Sequence, residues 1–459
     1  MAEDSGQTLS RRAYQGVLGA GLLLSLAANL PGHMSVDSVI ALEEARTGVR
    51  QTWAPAAFSA ALKVFDTLLS GTGLYVAAAT GLLFATLMAL PAIRGRAGWV
   101  AVLAAVLAVL TPQLLIYPGI VWRDILFAEM TLAGFVLIAG ADASWSVRPP
   151  WLRLAGAAAC LALAAAVRQN GLVVVVFAAV AVGWVARAPR WPRRLVWGVG
   201  FLMVTLVLAL GIDRLATPPP DANTPPRRAQ TLILEHYDIV GAVAHDPSLR
   251  LDRIAAADPA AAAQILAKAP RYYSPSRVDP LDTDEQLRRS LWRVPDEAMT
   301  AQWRDVILHH PSAYLAHRLD VFRWTLMTPD ITQCVPVQLG VQGPPDMIDD
   351  LELAADRLPR DGALYGYVMS FYRTPIFSHL AWAVVGLLVA VRLLARRAPG
   401  DVPLAGLMLG SVGFAASFLP ISVACDYRYL YLVDLAAIAG GLYVALDLGV
   451  AARVRVKRR

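Results

Sequence analysis

Three arginines stand at the ends of long apolar runs, where an ordinary connecting turn needs no charge. They are Arg123 in "WRDILFAE", Arg168 in "VRQNG" and Arg428 in "CDYRYLY". The planar guanidinium fork of arginine suits the oxygens of a phosphate group. Asp124 and Asp426 offer neighbouring partners to Arg123 and Arg428, which is the structural alternative, but no acid is adjacent to Arg168. The three arginines are therefore predicted to bind a phosphate-bearing ligand.

Carboxylates occur in the same regions. Asp37 follows the first apolar run in "SVDSVIALEE", where it could instead be the N-cap of a surface helix. Glu129 lies inside an apolar run that Asp124 opens, and an acid at that depth must face protein or water. Such a carboxylate can act as a base on an acceptor hydroxyl while arginine stabilises the charge on a leaving phosphate. The catalytic candidates are Asp37, Asp124 and Glu129, and the supporting residues are Asn170, Tyr427 and Asp426.

The composition indicates what kind of molecule must position these groups. The chain has 459 residues, of which 57% are hydrophobic and only 17% charged. Soluble domains carry about 25% charged residues, so the chain is predicted to be a membrane protein. Its net charge of +6 comes largely from arginines beside apolar runs, where they set topology, and no nucleic-acid partner is expected.

Ten apolar runs approach the length of about 20 residues that a helix needs to cross a bilayer. They lie at 13–31, 72–93, 97–117, 124–141, 152–169, 171–187, 195–213, 376–394, 402–421 and 429–448. The polar "RQNG" at 168–171 is predicted to be a hairpin tip that divides 152–187 into two helices. The expected fold is an all-α polytopic membrane protein with about ten transmembrane helices.

Basic clusters set the orientation of these spans. With ten spans, every cluster falls on one side of the membrane, which the positive-inside rule makes cytoplasmic together with both termini. The clusters are Arg11 with Arg12, Arg94 with Arg96, Arg148 with Arg153, 187–194, Arg392 with Arg396 and Arg397, and the tail 453–459. The opposite, extracytoplasmic face then holds 32–71, 118–123, 168–171, 214–375 and 422–428, and with them the candidate site.

Three regions follow from this topology. An N-terminal transmembrane module, 1–213, has about seven spans and a catalytic first outer loop at 32–71. A mostly helical extracytoplasmic domain, 214–375, begins with a proline-rich linker, and a C-terminal module, 376–459, has about three spans. Cys334 and Cys425 both fall on the outer side, so a disulfide between them is predicted, with two unpaired outer thiols as the alternative. Cys160 is expected to be a free, apolar filler within a span.

Signals for a soluble nucleotide substrate are missing from the sequence. It contains neither a glycine-rich phosphate loop nor a dinucleotide-binding fingerprint. A nucleotide-sugar donor is therefore not expected. The chemistry that fits the arginines and carboxylates is transfer from a phosphate-linked donor embedded in the membrane.

In this layout the chain resembles the GT-C class of integral-membrane glycosyltransferases, which use polyprenyl-phosphate sugars. The likeness rests on Asp37 with "ALEEARTG" and Pro55 after the first span, "WRDILFAE" at the start of a later span, the "RQNG" turn, and Arg428-Tyr429 near the C-terminus. Asp37 has no acidic neighbour, and "WAPAAF" lacks the histidine that many members carry. The resemblance implies that Asp37 is the general base, supported by Asp124 or Glu129.

The expected donor is a polyprenyl-phosphate sugar, and the acceptor an envelope glycan, a glycolipid or a protein, at a bacterial inner membrane. No cofactor is certain, but Asp37, Asp124 and Asp426 could supply oxygen ligands to a divalent cation if they converge. Two alternatives remain open. One is a transporter or flippase of lipid-linked saccharide, although the chain shows no internal repeat, and the other is a scaffold or a polysaccharide polymerase.

Overall fold

The computed structural model describes residues 2–52, 54–146, 148–187, 190–218, 227–354 and 358–449. The tail cluster at 453–459, most of the proline-rich linker and part of the 187–194 cluster lie outside these residues. Within them the chain is helical, and its only β pairs are three isolated bridges. The expectation of an all-α fold is confirmed.

Ten helices form the first part of the chain. They are α1 (Ala2–Asn29), α2 (Val36–Thr47), α3 (Ala56–Leu68), α4 (Gly73–Arg94), α5 (Trp99–Val109), α6 (Pro112–Leu115), α7 (Arg123–Ser144), α8 (Trp151–Val167), α9 (Leu172–Val185) and α10 (Trp191–Ala216). A 3-10 turn at Gln169–Gly171 separates α8 from α9, so 152–187 does form two helices.

Eight helices follow, and three close the chain. The middle group comprises α11 (Arg227–His245), α12 (Asp252–Ala257), α13 (Pro259–Tyr272), α14 (Glu285–Arg293), α15 (Asp296–His309), α16 (Pro311–Met327), α17 (Pro345–Asp350) and α18 (Pro359–Met369). The last are α19 (His379–Arg396), α20 (Asp401–Ala416) and α21 (Tyr431–Ala445). We call α1, α4–α10 and α19–α21 the bundle.

The described helices include 5 that are long and apolar enough to cross a membrane: α4, α7, α10, α19 and Tyr427–Ala445. A sixth arises if α5 and the segment Pro112–Gly119, which are bent by 75°, form one span. Three shorter apolar helices are α8, α20 and the segment Gln169–Val185. Nine of the ten predicted spans coincide with these helices or with the bent pair, and the tenth, 13–31, lies mostly in α1, which is not among them.

Helix α7 lies at the centre of the bundle, where it packs against α4, α8, α20 and α21. Almost every side chain along it is buried, from Asp124 to Asp142. A helix that is apolar on all sides requires this position, because it leaves no polar face for water. Its first turn therefore carries Arg123 and Asp124 into the middle of one end of the bundle.

A second core lies in the middle segment. Its buried residues run from Leu232 to Val321, and α11 packs there against α13, α15 and α16. We call α11–α16, residues 227–327, the helical domain. The rest of the middle segment belongs to the core of the bundle instead, as Ile331, Leu339 and Val368 show.

The bundle has two ends that carry different connections. The Arg428 end comprises residues 30–35, 116–123, 168–171 and 422–428, where the backbone of His33 exchanges hydrogen bonds with Gly119 and Val121 at 2.9 Å each. The Asp447 end comprises 94–98, 140–153, 396–401 and 446–447, where the Gly400 N–H donates to the Asp142 carboxylate at 2.7 Å. Helix polarity places these two groups of connections at opposite ends.

Candidate functional site

A cavity of about 690 Å³ lies between the Arg428 end of the bundle and the helical domain. Six of the nine predicted site residues line it: Asp37, Arg123, Arg168, Asn170, Asp426 and Arg428. The helical domain supplies the facing wall from α11, the segment 277–282 and α14. The structure therefore brings together most of the residues that the sequence singled out, although they come from four separate regions of the chain.

Arg428 lies at the centre of the charged groups. It belongs to the 3-10 turn Tyr427–Leu430, which leads into α21. Its guanidinium contacts the Asp37 carboxylate directly and donates a hydrogen bond to Asp426 at 3.3 Å. Its Nε lies 3.8 Å from Asp124 Oδ2. Three carboxylates thus converge on one cation, and that cation is an arginine side chain.

Arg168 pairs with Asp124 rather than remaining alone. Its Nη1 contacts Asp124 Oδ1, and its guanidinium lies over the rings of Phe418 and Tyr429, at 5.2 and 5.1 Å from their centroids. The alternative that Asp124 pairs with its neighbour Arg123 is wrong. Successive residues on a helix point about 100° apart, so Arg123 and Asp124 do not face each other.

Arg123, the first residue of α7, is the arginine left without a partner. No carboxylate among the described residues lies within 4.0 Å of its guanidinium, although Asp37 and Glu44 act on it at longer range. It is partly exposed and lines the cavity. A cation without a carboxylate partner in direct contact therefore lines the cavity.

Asp37 lies in the first turn of α2 and is not its N-cap. That position belongs to Ser35, whose backbone N–H donates to Ser38 Oγ at 3.3 Å. The Asp37 side chain is 55% exposed and remains accessible from the cavity. Partial burial raises the pKa of Asp37, but the positive charges of Arg428 and Arg123 outweigh it and lower the pKa below its usual value. Asp37 is therefore ionised at neutral pH.

Asp426 joins the bundle to the helical domain. Its carboxylate lies between Arg428 and Arg277 of the domain, 3.7 Å from the latter. Burial raises the pKa of Asp426, while Arg428 and Arg277 act against that rise. The preceding residue, Cys425, forms a disulfide with Cys334, with Cα atoms 5.0 Å apart, and Cys160 is a free, partly buried thiol.

Glu129, Asp124 and Tyr427 do not line the cavity. Glu129 is fully buried in α7, and among the described residues neither of its carboxylate oxygens has a hydrogen-bond partner. Asp124 lies behind the cavity wall, where it contacts Arg168 and approaches Arg428. Of the three catalytic candidates, only Asp37 has its side chain in the cavity.

The supporting residues have defined partners. Asn170 donates from Nδ2 to Ser417 Oγ at 2.9 Å. The Tyr427 hydroxyl donates to Asp434 Oδ2 at 2.6 Å, and its ring stacks on His379 at 3.9 Å. His379 Nδ1 lies 2.7 Å from the other oxygen of Asp434. This buried network holds the turn that carries Arg428 and gives Asp434, which had no predicted role, a structural one.

Sequence reasoning missed Glu44. Its carboxylate accepts hydrogen bonds from the backbone N–H groups of Gln51 and Thr52 at 2.8 and 2.9 Å and from Ser59 Oγ at 2.9 Å, and it pairs with Arg50 at 3.2 Å. These bonds hold the connection between α2 and α3, which reaches the cavity at residues 54–55. In "ALEEA" two glutamates are adjacent, and only the period of the helix could have indicated that Glu44, and not Glu43, faces the core.

The candidate metal ligands do not form an open cation site. Among the described residues, no group of three histidine, cysteine, aspartate or glutamate side chains is arranged to hold a metal ion. Asp37, Asp124 and Asp426 do converge, but they do so around Arg428. The guanidinium supplies the positive charge that a divalent cation would bring to these three carboxylates.

Neither a known family profile nor a curated protein sequence matches the chain. Among solved structures, it is similar to ArnT from Cupriavidus metallidurans bound to undecaprenyl phosphate, with 17% identity, a TM-score of 0.36, and coverage of 94% of this chain and 77% of that one. It is also similar to the oligosaccharyltransferase AglB from Archaeoglobus fulgidus in complex with an inhibitory peptide and a dolichol-phosphate, with 13% identity and a TM-score of 0.40. That alignment covers 94% of this chain and half, 50%, of AglB. Sequence identities and TM-scores this low do not establish an activity. The function is therefore inferred from the cavity itself.

Proposed function

We propose that this protein is a membrane glycosyltransferase of the GT-C type, which moves a sugar from a polyprenyl-phosphate donor to an acceptor hydroxyl. The observation that carries the proposal is Arg123, a cation without a carboxylate partner that lines the same cavity as ionised Asp37. An arginine that lines a cavity without a carboxylate partner favours an anionic ligand, and its planar fork suits phosphate.

The proposed reaction gives each group one task. Arg123 and Arg428 bind the donor phosphate, and Arg168, oriented by Asp124, adds positive charge beside the aromatic rings that flank it. Asp37 accepts the proton of the acceptor hydroxyl as that oxygen forms its bond to the anomeric carbon. The bond between the anomeric carbon and the phosphate oxygen breaks, and polyprenyl phosphate leaves with its charge stabilised by the arginines.

No step in this scheme passes through a metal ion. Arg428, with Arg168 and Arg277, already pairs with the carboxylates that would bind a divalent cation, so the residues present do not fit such a site. Charge stabilisation at the phosphate is assigned to guanidinium groups, which also position the phosphate through bidentate hydrogen bonds.

The proposed location is a bacterial inner membrane, with both termini cytoplasmic and the cavity on the extracytoplasmic face. Support comes from the Asp447 end, which carries Arg94, Arg96, Arg153 and Arg396, because the positive-inside rule assigns basic connections to the cytoplasm. The acceptor is an envelope glycan, a glycolipid or a protein, and its class is considered below.

A transfer assay tests the proposal. The purified full-length chain in detergent is mixed with polyprenyl-phosphate sugars, and release of polyprenyl phosphate is measured with and without envelope extracts as acceptor. Arg123→Gln is expected to lower the transfer rate by about 10²–10³-fold. Asp37→Asn is expected to lower it by about 10²–10⁴-fold, since it removes the base while keeping the shape of the side chain.

Arg392→Gln is the matched control, because Arg392 is an exposed arginine on α19. It should retain the full rate. Full activity in Asp37→Asn would show that Asp37 is not the catalytic base. If the native chain transfers no sugar from any polyprenyl-phosphate donor, the glycosyltransferase proposal fails, and a transporter or polymerase becomes the better assignment.

A further inference from the structure

The wall of the cavity formed by the helical domain carries polar groups that the proposed chemistry does not use. Trp292 on α14 lines the cavity with 47% of its surface exposed. His236 of α11 packs edge-on against it, with ring centroids 5.0 Å apart and planes at 90°. The contact holds the indole in place, and an exposed aromatic ring of this size costs free energy unless a ligand covers it.

Three groups on this wall have open hydrogen-bonding capacity. Within the described residues, neither the Trp292 indole N–H nor the His236 ring nitrogens form a hydrogen bond, and His236 is only 4% exposed. The Asp282 carboxylate, which also lines the cavity, has neither a hydrogen bond nor an ion pair within 4.0 Å there. A buried imidazole without a protein partner points to a ligand that supplies one.

His236 can both donate and accept. Burial, aided by the nearby charge of Arg228, lowers the pKa of His236 to about 4, so the ring is neutral at physiological pH. A neutral imidazole has one donor and one acceptor nitrogen, the indole is a donor only, and a carboxylate is an acceptor only. Hydroxyl groups, which both donate and accept, complement this set.

We infer that this wall, formed by Trp292, His236 and Asp282, binds the acceptor and that the acceptor is a saccharide. The apolar face of a sugar ring packs on the indole, and its hydroxyls bond to the imidazole and the carboxylate. The inference rests on the proposed function for the identity of the reaction, but the binding site stands on its own residues. It places the acceptor in the same cavity as Asp37 and opposite the arginines.

A peptide acceptor fits this wall less well. Extended peptides commonly add to the edge of a sheet, where backbone hydrogen bonds provide affinity. Among the described residues, helices, connecting segments and one isolated bridge, Arg277 with Ala424, border the cavity, and no strand edge is present. The wall instead offers side-chain groups suited to a polyhydroxylated ring.

Binding of simple sugars to the full chain tests the inference without any donor. The probes are the methyl glycosides of glucose, galactose, mannose and N-acetylglucosamine, measured by saturation-transfer difference NMR in a detergent without a sugar head group. At least one is expected to bind, with strongest saturation on its ring C–H protons. Trp292→Ala should weaken that binding about tenfold, whereas Trp292→Phe should retain most of it.

Two further variants exclude a folding artefact. Asp282→Asn replaces an exposed side chain without protein partners and should weaken binding severalfold while leaving thermal unfolding unchanged. Arg289→Ala, on the exposed face of the same helix α14 and outside the cavity lining, should leave binding unchanged. Sugar binding that is equal in the native chain, Trp292→Ala and Asp282→Asn would overturn the inference, as would failure of all four glycosides to bind.

The outcomes separate this inference from the proposed function. The chain could bind sugars through Trp292 and still transfer nothing from polyprenyl-phosphate sugars. That result would support the saccharide site and exclude the proposed donor. The chain could instead transfer sugar to peptides at a rate that Trp292→Ala does not change. That result would support the transferase proposal and exclude a saccharide as the acceptor.

Discussion

The two ends of the bundle contain clusters of the same charged residue types, but their arginines are paired differently. At the Asp447 end, three arginines surround Asp447: Arg94 lies 2.8 Å and Arg96 2.6 Å from its Oδ1, and Arg396 contacts its Oδ2. Arg396 also pairs with Asp401 at 2.6 Å. Each of these arginines therefore has a carboxylate partner, and none of them lines the cavity.

At the Arg428 end, three carboxylates surround one arginine, Arg428, and one of them also pairs with Arg168. Arg123 has no carboxylate within 4.0 Å among the described residues, and it lines the cavity. The comparison shows that the number of charges does not distinguish a binding site from a structural cluster. What distinguishes it is whether the unpaired charge faces a space that a ligand can fill.

The largest expected difference between the two ends is in activity. Arg428→Gln should lower the rate of transfer from a polyprenyl-phosphate sugar by about 10²–10³-fold, since it removes the central cation of the site. Arg396→Gln should lower the melting temperature but leave the rate per folded molecule within a few-fold. Single-turnover assays combined with thermal unfolding measure both quantities. Equal losses of activity in the two variants would show that the arginines at the two ends do not differ in their importance for catalysis.

The disulfide is the next largest effect and belongs to the Arg428 end alone. The double variant Cys334→Ser with Cys425→Ser should lose about 2–4 kcal/mol of unfolding free energy. Transfer should also slow, because Cys425 is adjacent to Asp426 and only three residues before Arg428. Cys160→Ser, which changes the remaining thiol, is the control and should affect neither quantity. Unchanged activity in the double variant would show that the turn is positioned without the disulfide.

The Arg428 end is also expected to be sensitive to pH through His33. Its Nδ1 accepts a hydrogen bond from the Gly340 N–H at 3.0 Å, so Nε2 carries the proton and donates to Asn29 Oδ1 at 3.1 Å. Burial lowers the pKa of His33 to about 4, against the attraction of Asp361. A protonated ring would have no acceptor for Gly340.

The sign of this effect follows from the pKa values. The unfolded chain binds a proton at about pH 6.5, so the unfolding free energy should fall as pH drops from about 6.5 toward about 4, by a limit of roughly 3 kcal/mol. Thermal unfolding across this range measures it. His33→Asn keeps an acceptor near Gly340 and should show a shallower decline, and an equally steep decline would assign the effect to other groups.

The smallest expected effect is a shift in the acid limb of the pH–rate profile. Arg123 helps to lower the pKa of Asp37, so Arg123→Gln should raise that pKa and move the limb to higher pH by less than about one unit. Arg123→Lys keeps the charge and should leave the limb in place while still reducing the rate. The residual kcat/KM of each variant as a function of pH provides the measurement. An acid limb that moves equally in both variants would show that its position does not depend on the charge of residue 123.

The positions of the charged groups could be predicted from the sequence, but their pairing could not. Arg123, Arg168 and Arg428 could be assigned to one end of the bundle because span lengths determine which helix ends lie together. The partner of Arg428 could not be predicted, because Asp37 is 391 residues away and no periodic signal connects the two positions. The pairing of Asp124 depends on helix rotation, which places Arg168 rather than Arg123 beside it.

Depth and exposure were also beyond the sequence. Glu129 lies inside an apolar run and Asp37 follows one, and both were catalytic candidates, yet Glu129 is fully buried in α7 while Asp37 lines the cavity. Trp292 lies in a strongly amphipathic helix whose pattern suits a buried aromatic residue equally well. Only packing between the helical domain and the bundle decides which of these side chains a ligand can reach.

The segment 422–425 has a consequence for protein engineering. The helical domain holds this part of the bundle directly: Arg318 donates to the Ser422 carbonyl at 2.7 Å, the Val278 N–H donates to the Val423 carbonyl at 2.8 Å, and the Cys425 N–H donates to the Ser276 carbonyl at 2.8 Å. A chimera that exchanged residues 227–327 for a domain of another specificity would leave these groups without partners. The exchangeable unit therefore includes 422–428 with the domain, so the proposed acceptor wall cannot be exchanged without the turn that is proposed to bind the donor.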